Sequence, residues 1–203
     1  MFYRYSVLPK GAPVPHTIGF SMVELLVSIG IVVLVLSIVV TRQQSFNSAV
    51  LLGGQAYEIA LAMREVQLSA ISAASDGSGE FRSVQGIYFD RTDNQEYRLF
   101  RDANGNQFFD TGEDIGFSGV VDGRFELRGI QSGGVDIASD QLAVVFKRPN
   151  FDAVFVTDDV GSILNVTAIT LIIGLRGGGS GVCGEDIREI EIRSTGQIAV
   201  VEC

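Results

Sequence analysis

The sequence predicts an α+β fold: a long N-terminal α-helix, apolar enough in its first half to cross a membrane and amphipathic in its second, packed on a C-terminal antiparallel β domain. Three observations predict it. Leu25–Val40 reads LLVSIGIVVLVLSIVV, without a charge. Leu52, Ala56, Ile59, Met63, Val66, Ala70 and Ala73 recur at alternating spacings of four and three, which is one stripe on a helix. Beyond Ser75-Asp-Gly-Ser-Gly79 the pattern changes to short segments that alternate apolar and polar residues, as in Ile187-Arg-Glu-Ile-Glu-Ile-Arg193.

The first element is the apolar run. With Phe20, Ser21, Met22 and Val23 it reaches 21 residues, interrupted only by Glu24. At about 1.5 Å per residue it spans a hydrocarbon core of about 30 Å. It is too long for the apolar core of a secretory signal peptide, and no small-residue cleavage site follows it. Arg4 and Lys10 precede it, which places the N-terminus in the cytoplasm and the bulk of the chain outside. Glu24 is the informative residue. A carboxylate in an apolar run is costly unless paired, so it marks a functional site. If the chain is cut after Gly19, Phe20 gains an ammonium group that needs an anion as much as Glu24 needs a cation. In a stack of axially offset helices, the N-terminus of one subunit meets Glu24 of a neighbour, and the pair stabilises only the assembled state. The alternative is a Glu that snorkels from a simple anchor.

Gly19-Phe20-Ser21-Met22-Val23-Glu24-Leu25-Leu26-Val27 resembles the cleavage and methylation motif of the type IV pilin family, which includes the pseudopilins of type II secretion. The resemblance covers about 25 residues. It implies cleavage after Gly19 by a membrane prepilin peptidase, N-methylation of Phe20, and assembly of Phe20 and Glu24 into a helix-packed filament. It also implies partners: other pilin or pseudopilin subunits and an inner-membrane assembly platform. The chain would start in the inner membrane as a single-pass protein and end in an extracytoplasmic pilus or pseudopilus. Ser21-Met22 stand where Thr-Leu is commoner. No proline stands near the outer end of the apolar run, at Val39, Val40 or Thr41, which favours a minor subunit. The implied organisation is a leader over 1–19, the transmembrane half of the helix over 20–41, its amphipathic half over 42–75, and the β domain over 80–203. Together these make a pilin fold.

From Phe20 to Ala74 the helix would be about 80 Å long, with Gly53-Gly54 placed to bend it. Strands are predicted at Val84–Phe89, Glu96–Arg101, Phe125–Ile130, Leu142–Lys147, Ala153–Thr157, Ala168–Leu175, Ile187–Arg193 and Gln197–Val201. Ser194-Thr-Gly196 reads as a tight hairpin turn. The order, and the segments VVFKRPNFDAVF and IREIEIRSTGQIAVV, resemble the late strands of H-type minor pseudopilins and related minor pilins.

Charge and composition exclude several functions. Without Arg4 and Lys10, 13 basic residues face 24 acidic ones, a net of −11. A general nucleic-acid binder needs the opposite balance. The sole histidine, His16, lies in the leader, so the mature chain lacks the base of a Ser-His-Asp or Cys-His mechanism. No catalytic constellation is present, and the chain is not expected to be an enzyme. Cys183 and Cys203 both lie beyond the membrane segment, where an even count favours a disulfide over two buried thiols. The closed loop would contribute about 3 kcal/mol.

Asp102, Asn104, Asn106, Asp110 and Glu113 place side-chain oxygens at positions 1, 3, 5, 9 and 12 of a loop. That is the spacing of a calcium site, although Gln107 stands where such loops need glycine. The competing reading is an Asn/Asp/Gly turn that caps itself. Arg176-Gly-Gly-Gly-Ser-Gly181 lacks the ending of a phosphate loop and reads as a flexible connection. Arg91, Arg98, Arg101, Arg124 and Arg128 fall on neighbouring strands among interleaved acids. The sequence therefore points to a structural minor pilin or pseudopilin subunit. The rival reading is a filament-tip module that binds DNA, a surface or a secreted substrate.

Overall fold

A computed structural model of the chain describes residues 19–72, 84–146, 151–157, 162–178, 181–184 and 186–201. The chain forms two units, 1–42 and 43–203. It is a mixed α+β protein with an N-terminal apolar helix and a C-terminal antiparallel β region. The helix, α1, runs Met22–Ile71, 50 residues. Its first i→i−4 bond is Leu25 N–H to Ser21 O at 3.0 Å, which places Ser21 at the N-cap and Glu24 in the first turn. No proline interrupts it, and it continues through Gly53-Gly54 as α-helix. Its end at Ile71 comes a few residues before the glycine-rich stop, with Ser72 N–H still bonded to Leu68 O at 2.9 Å.

Among the described residues eleven strands follow: β1 Val84–Asp90, β2 Glu96–Asp102, β3 Asp114–Val120, β4 Phe125–Ser132, β5 Val135–Asp136, β6 Gln141–Phe146, β7 Ala153–Val156, β8 Ile163–Leu164, β9 Ala168–Leu175, β10 Ile187–Arg193 and β11 Ile198–Val201. They form two sheets, β3-β2-β1-β6-β7-β8 and β11-β10-β9-β4-β5, and every strand pair is antiparallel. The eight predicted strands are all present, with ends shifted by a residue or two. Three are additional. β3 (Asp-Ile-Gly-Phe-Ser-Gly-Val) carries two glycines and no clean alternation, while β5 and β8 have two residues each. Short edge segments such as these are held by their neighbours and leave little trace in a pattern search.

Within residues 43–203 one hydrophobic cluster of buried residues includes members of α1 and of both sheets. It contains Leu52, Ala56, Ile59, Met63, Val66 and Ala70 of α1, Ile87, Phe89 and Leu99 of the first sheet, and Ile130, Leu171 and Ile190 of the second. These are the predicted stripe residues up to Ala70; Ala73 lies outside the described residues. Polar bonds fix the register. Gln67 Nε2 donates to Gly196 O at 2.8 Å and to Phe151 O at 3.2 Å, and Asp122 N–H donates to Gln55 Oε1 at 3.0 Å. The turn at 194–196 closes as expected, with Gly196 N–H bonded to Arg193 O at 2.8 Å. Gly196 has φ +81°, and an added Cβ would overlap the Phe151 carbonyl, so glycine is required there on two counts. A second cluster lies on the other face of the first sheet: Tyr88, Phe100, Phe108, Ala143, Val145 and Val156.

Candidate functional site

Three groups of residues carry the sequence-based expectations. The first is the start of α1. Gly19 and Phe20 are exposed, Phe20 at 79 %, immediately before the helix. Glu24 is the third helical residue and the acid of the first turn, where the helix dipole favours an anion. Met22–Val40, 19 residues of mean hydropathy 2.9, is long and apolar enough to cross a membrane, and none of it is buried within the protein. Ser28 and Ser37 do not spoil that character. Their hydroxyls donate to Glu24 O at 2.7 Å and Val33 O at 2.9 Å, so the polar groups are satisfied inside the helix. Arg4, Lys10 and His16 lie outside the described residues.

The second group is the loop 102–113. Asp102, 5 % exposed, accepts Gly105 N–H at 2.6 Å on Oδ1 and Gln107 N–H at 2.9 Å on Oδ2. Asn104 Oδ1 accepts Asn106 N–H at 3.0 Å, and Asn106 Oδ1 accepts Phe108 N–H at 2.9 Å. Asp110 Oδ2 receives the side-chain amides of Asn104 and Asn106, each at 2.7 Å. Glu113 closes the loop, accepting Ala103 N–H at 2.8 Å and Asp110 N–H at 3.0 Å. Gln107 supplies the sharp turn in the left-handed region, φ 65°, without being glycine. Phe108 and Phe109 clamp the loop to the first sheet, with ring centroids 5.4 Å and 5.1 Å from Tyr88. All five candidate ligands are thus brought together, but apart from Asp110 Oδ1 their side-chain oxygens accept the loop's own N–H groups. Among the described residues no group of three or more His, Cys, Asp or Glu side chains is placed to hold a metal ion. The residues as arranged do not fit a hard-cation cage; they fit a self-capped turn.

The third group is the cysteine pair. Cys183 is half-buried and disulfide-bonded. Cys203 lies outside the described residues.

Of the five arginines on the neighbouring strands, four are paired with acids, and Arg101 has its Nε buried without a hydrogen-bond partner. Arg91 meets Asp140 at 2.8 Å, Arg98 meets Glu96 at 3.7 Å, Arg124 meets Asp122 at 2.8 Å, and Arg128 meets Glu126 at 3.6 Å. The Arg124 guanidinium holds the Asp122 carboxyl well below the usual carboxylate range.

One feature has no counterpart in the expectations. Val50, Tyr57, Leu61 and Leu68 of α1 are exposed, on the face opposite the buried stripe. A groove of ≈ 530 Å³ runs beside them, between Val50, Gly53, Gly54 and Tyr57 on α1 and Arg188, Val200 and Val201 on β10 and β11. A smaller one of ≈ 260 Å³ continues past Leu61 and Arg64. The outward residues repeat at seven, four and seven, a helical signal legible in the sequence. It is masked there by the stronger inward stripe, which already accounts for a helix. No family model matches the chain, and no curated protein or solved structure matches it.

Proposed function

We propose that the chain is a structural pilin-like subunit, a minor pilin or pseudopilin. In this reading it is cut after Gly19 by a prepilin peptidase, methylated at Phe20, held in the inner membrane by Met22–Val40, and assembled into a type IV pilus or type II secretion pseudopilus. Its work is packing, not catalysis. The fold is then a pilin fold, in which the outer half of α1 serves the β domain as a spine. The observation that carries the reading is the composition of one helix. Gly19-Phe20 and Glu24 stand at its first turn, its first 19 residues are apolar and wholly exposed, and its later turns supply a core face. A simple anchor needs no carboxylate at that position and no helix of 50 residues.

The test is the N-terminal mass of the membrane-extracted chain co-expressed with a prepilin peptidase. A chain that starts at N-methylated Phe20 supports the reading. An intact Met1, or a cut beyond residue 40, overturns it.

A further inference from the structure

We propose that the cavity between the last turns of α1 and the first sheet is a binding site for a free α-amino acid with an aliphatic side chain. The inference does not depend on the reading of the chain as a filament subunit.

The cavity, of ≈ 270 Å³, is lined by Glu65, Val66 and Ser69 of α1, Gln85 of β1, Leu99 of β2 and Ile115 of β3. Sheet geometry explains why a polar end meets an apolar one. Ile87 and Leu99 face each other across β1 and β2, and both belong to the core cluster that includes α1. Two residues along each strand the same face carries Gln85 and Arg101, again directly opposite. Gln85 is 3 % exposed, and its Oε1 has no hydrogen-bond partner. Arg101 Nε is buried and has none either. A buried acceptor and a buried donor left open each cost stability, so neighbours of this kind point to a guest that supplies what they lack. Glu65 stands on the helix side of the same cavity. Among the described residues neither Glu65 nor Arg101 is in an ion pair.

The class of ligand follows from those needs. Gln85 Oε1 and the Glu65 carboxylate are acceptors, and a cationic donor suits both. Arg101 is a donor, and a carboxylate suits its guanidinium. Gln85 and Arg101 face each other on adjacent strands, where Cβ atoms stand about 5 Å apart. A ligand with an ammonium and a carboxylate on one carbon meets both. Val66, Leu99 and Ile115 leave the rest of the lining apolar, which suits a branched aliphatic tail and not a second charge. The volume falls just short of the pockets that take drug-sized ligands, about 300–1,000 Å³, as a single amino acid requires. One water bridges an acceptor to a donor equally well, but it leaves Glu65 and the apolar wall without a role.

The test is calorimetric titration of the full chain, in a mild non-ionic detergent, with L-leucine, the heat of titration into detergent alone being subtracted. Half-saturation is expected between about 1 μM and about 1 mM, the range open to so small a ligand. Isoamylamine, which lacks the carboxylate, and isocaproate, which lacks the ammonium, should each bind at least about tenfold more weakly. Gln85→Met, Arg101→Met and Glu65→Gln should each weaken leucine binding at least about fivefold. They should also keep or raise the unfolding midpoint, because each removes a group that the fold leaves unpaired. No binding of leucine at about 10 mM, the outcome if water alone fills the cavity, overturns the proposal. So does an amine or an acid that binds as tightly as leucine, and so does unchanged leucine binding in Gln85→Met or Arg101→Met.

Discussion

Residue by residue, the most constrained polar group is Asp102. It is nearly fully buried and spends both carboxylate oxygens on the backbone N–H groups of Gly105 and Gln107. Asp102→Ala leaves those donors without an acceptor, and we expect a cost of about 2 kcal/mol, read as a lower unfolding midpoint. Because the other loop oxygens are similarly engaged, millimolar calcium or excess chelator should move the midpoint by less than about 1 °C. A clear rise with calcium would show that the loop re-forms around a cation. Tyr97 gives a second handle. Burial, then the nearby Glu58 and Glu65 carboxylates, push its phenol up from 10.0 to about 12. The folded state thus favours the neutral phenol. That contribution is whole below pH 10, where the unfolded phenol also keeps its proton, and is lost as the pH rises towards about 12. Tyr97→Phe should flatten the fall in stability across this window in a pH series of chemical denaturation.

The same helix face that makes an element legible in sequence also sets its energetics. The inward residues of α1 follow the 4-3 spacing, and the structure buries Ile59 and Met63 fully. Met63→Ala should cost about 2–5 kcal/mol. Leu61→Ala, two residues away on the exposed face, should change stability by less than about 0.5 kcal/mol in the isolated chain. Equal effects would mean that the two faces have been assigned wrongly. The strands were readable for a similar reason. β10 alternates because one face meets the core, and β1 and β6 appear as denser apolar runs because the first sheet is covered on both faces. β3 was not readable, since Gly116 and Gly119 break its pattern and the Tyr97 ring fills the space a side chain at 119 would need. The loop 102–113 shows the limit of spacing as evidence. Asp, Asn and Glu at those positions suit both a calcium cage and a capped turn. The choice between them depends on where each oxygen points, which the left-handed Gln107 and the Phe108 and Phe109 anchors decide in three dimensions.

For the whole molecule, the question is what one chain leaves unfinished. Met22–Val40 has no cover of its own, and among the described residues Glu24 is in no ion pair. A membrane satisfies the apolar residues but not the carboxylate. In the proposed reading, a neighbouring subunit with a free Phe20 ammonium would satisfy both, and only after residues 1–19 had been removed. Insertion and assembly are therefore separable. Glu24→Ala keeps the apolar run, makes it more apolar, and should insert and be processed at Phe20 as efficiently as the parent. In the proposed filament it would leave a neighbour's ammonium unpaired in an apolar setting, a loss of about 3–5 kcal/mol by the rule for broken buried pairs. Incorporation should fall by well over tenfold. The measurement is the ratio of filament-associated to membrane-associated protein, with the N-terminal mass recorded in both fractions. A normal ratio for correctly processed Glu24→Ala would show that the carboxylate only caps the first turn.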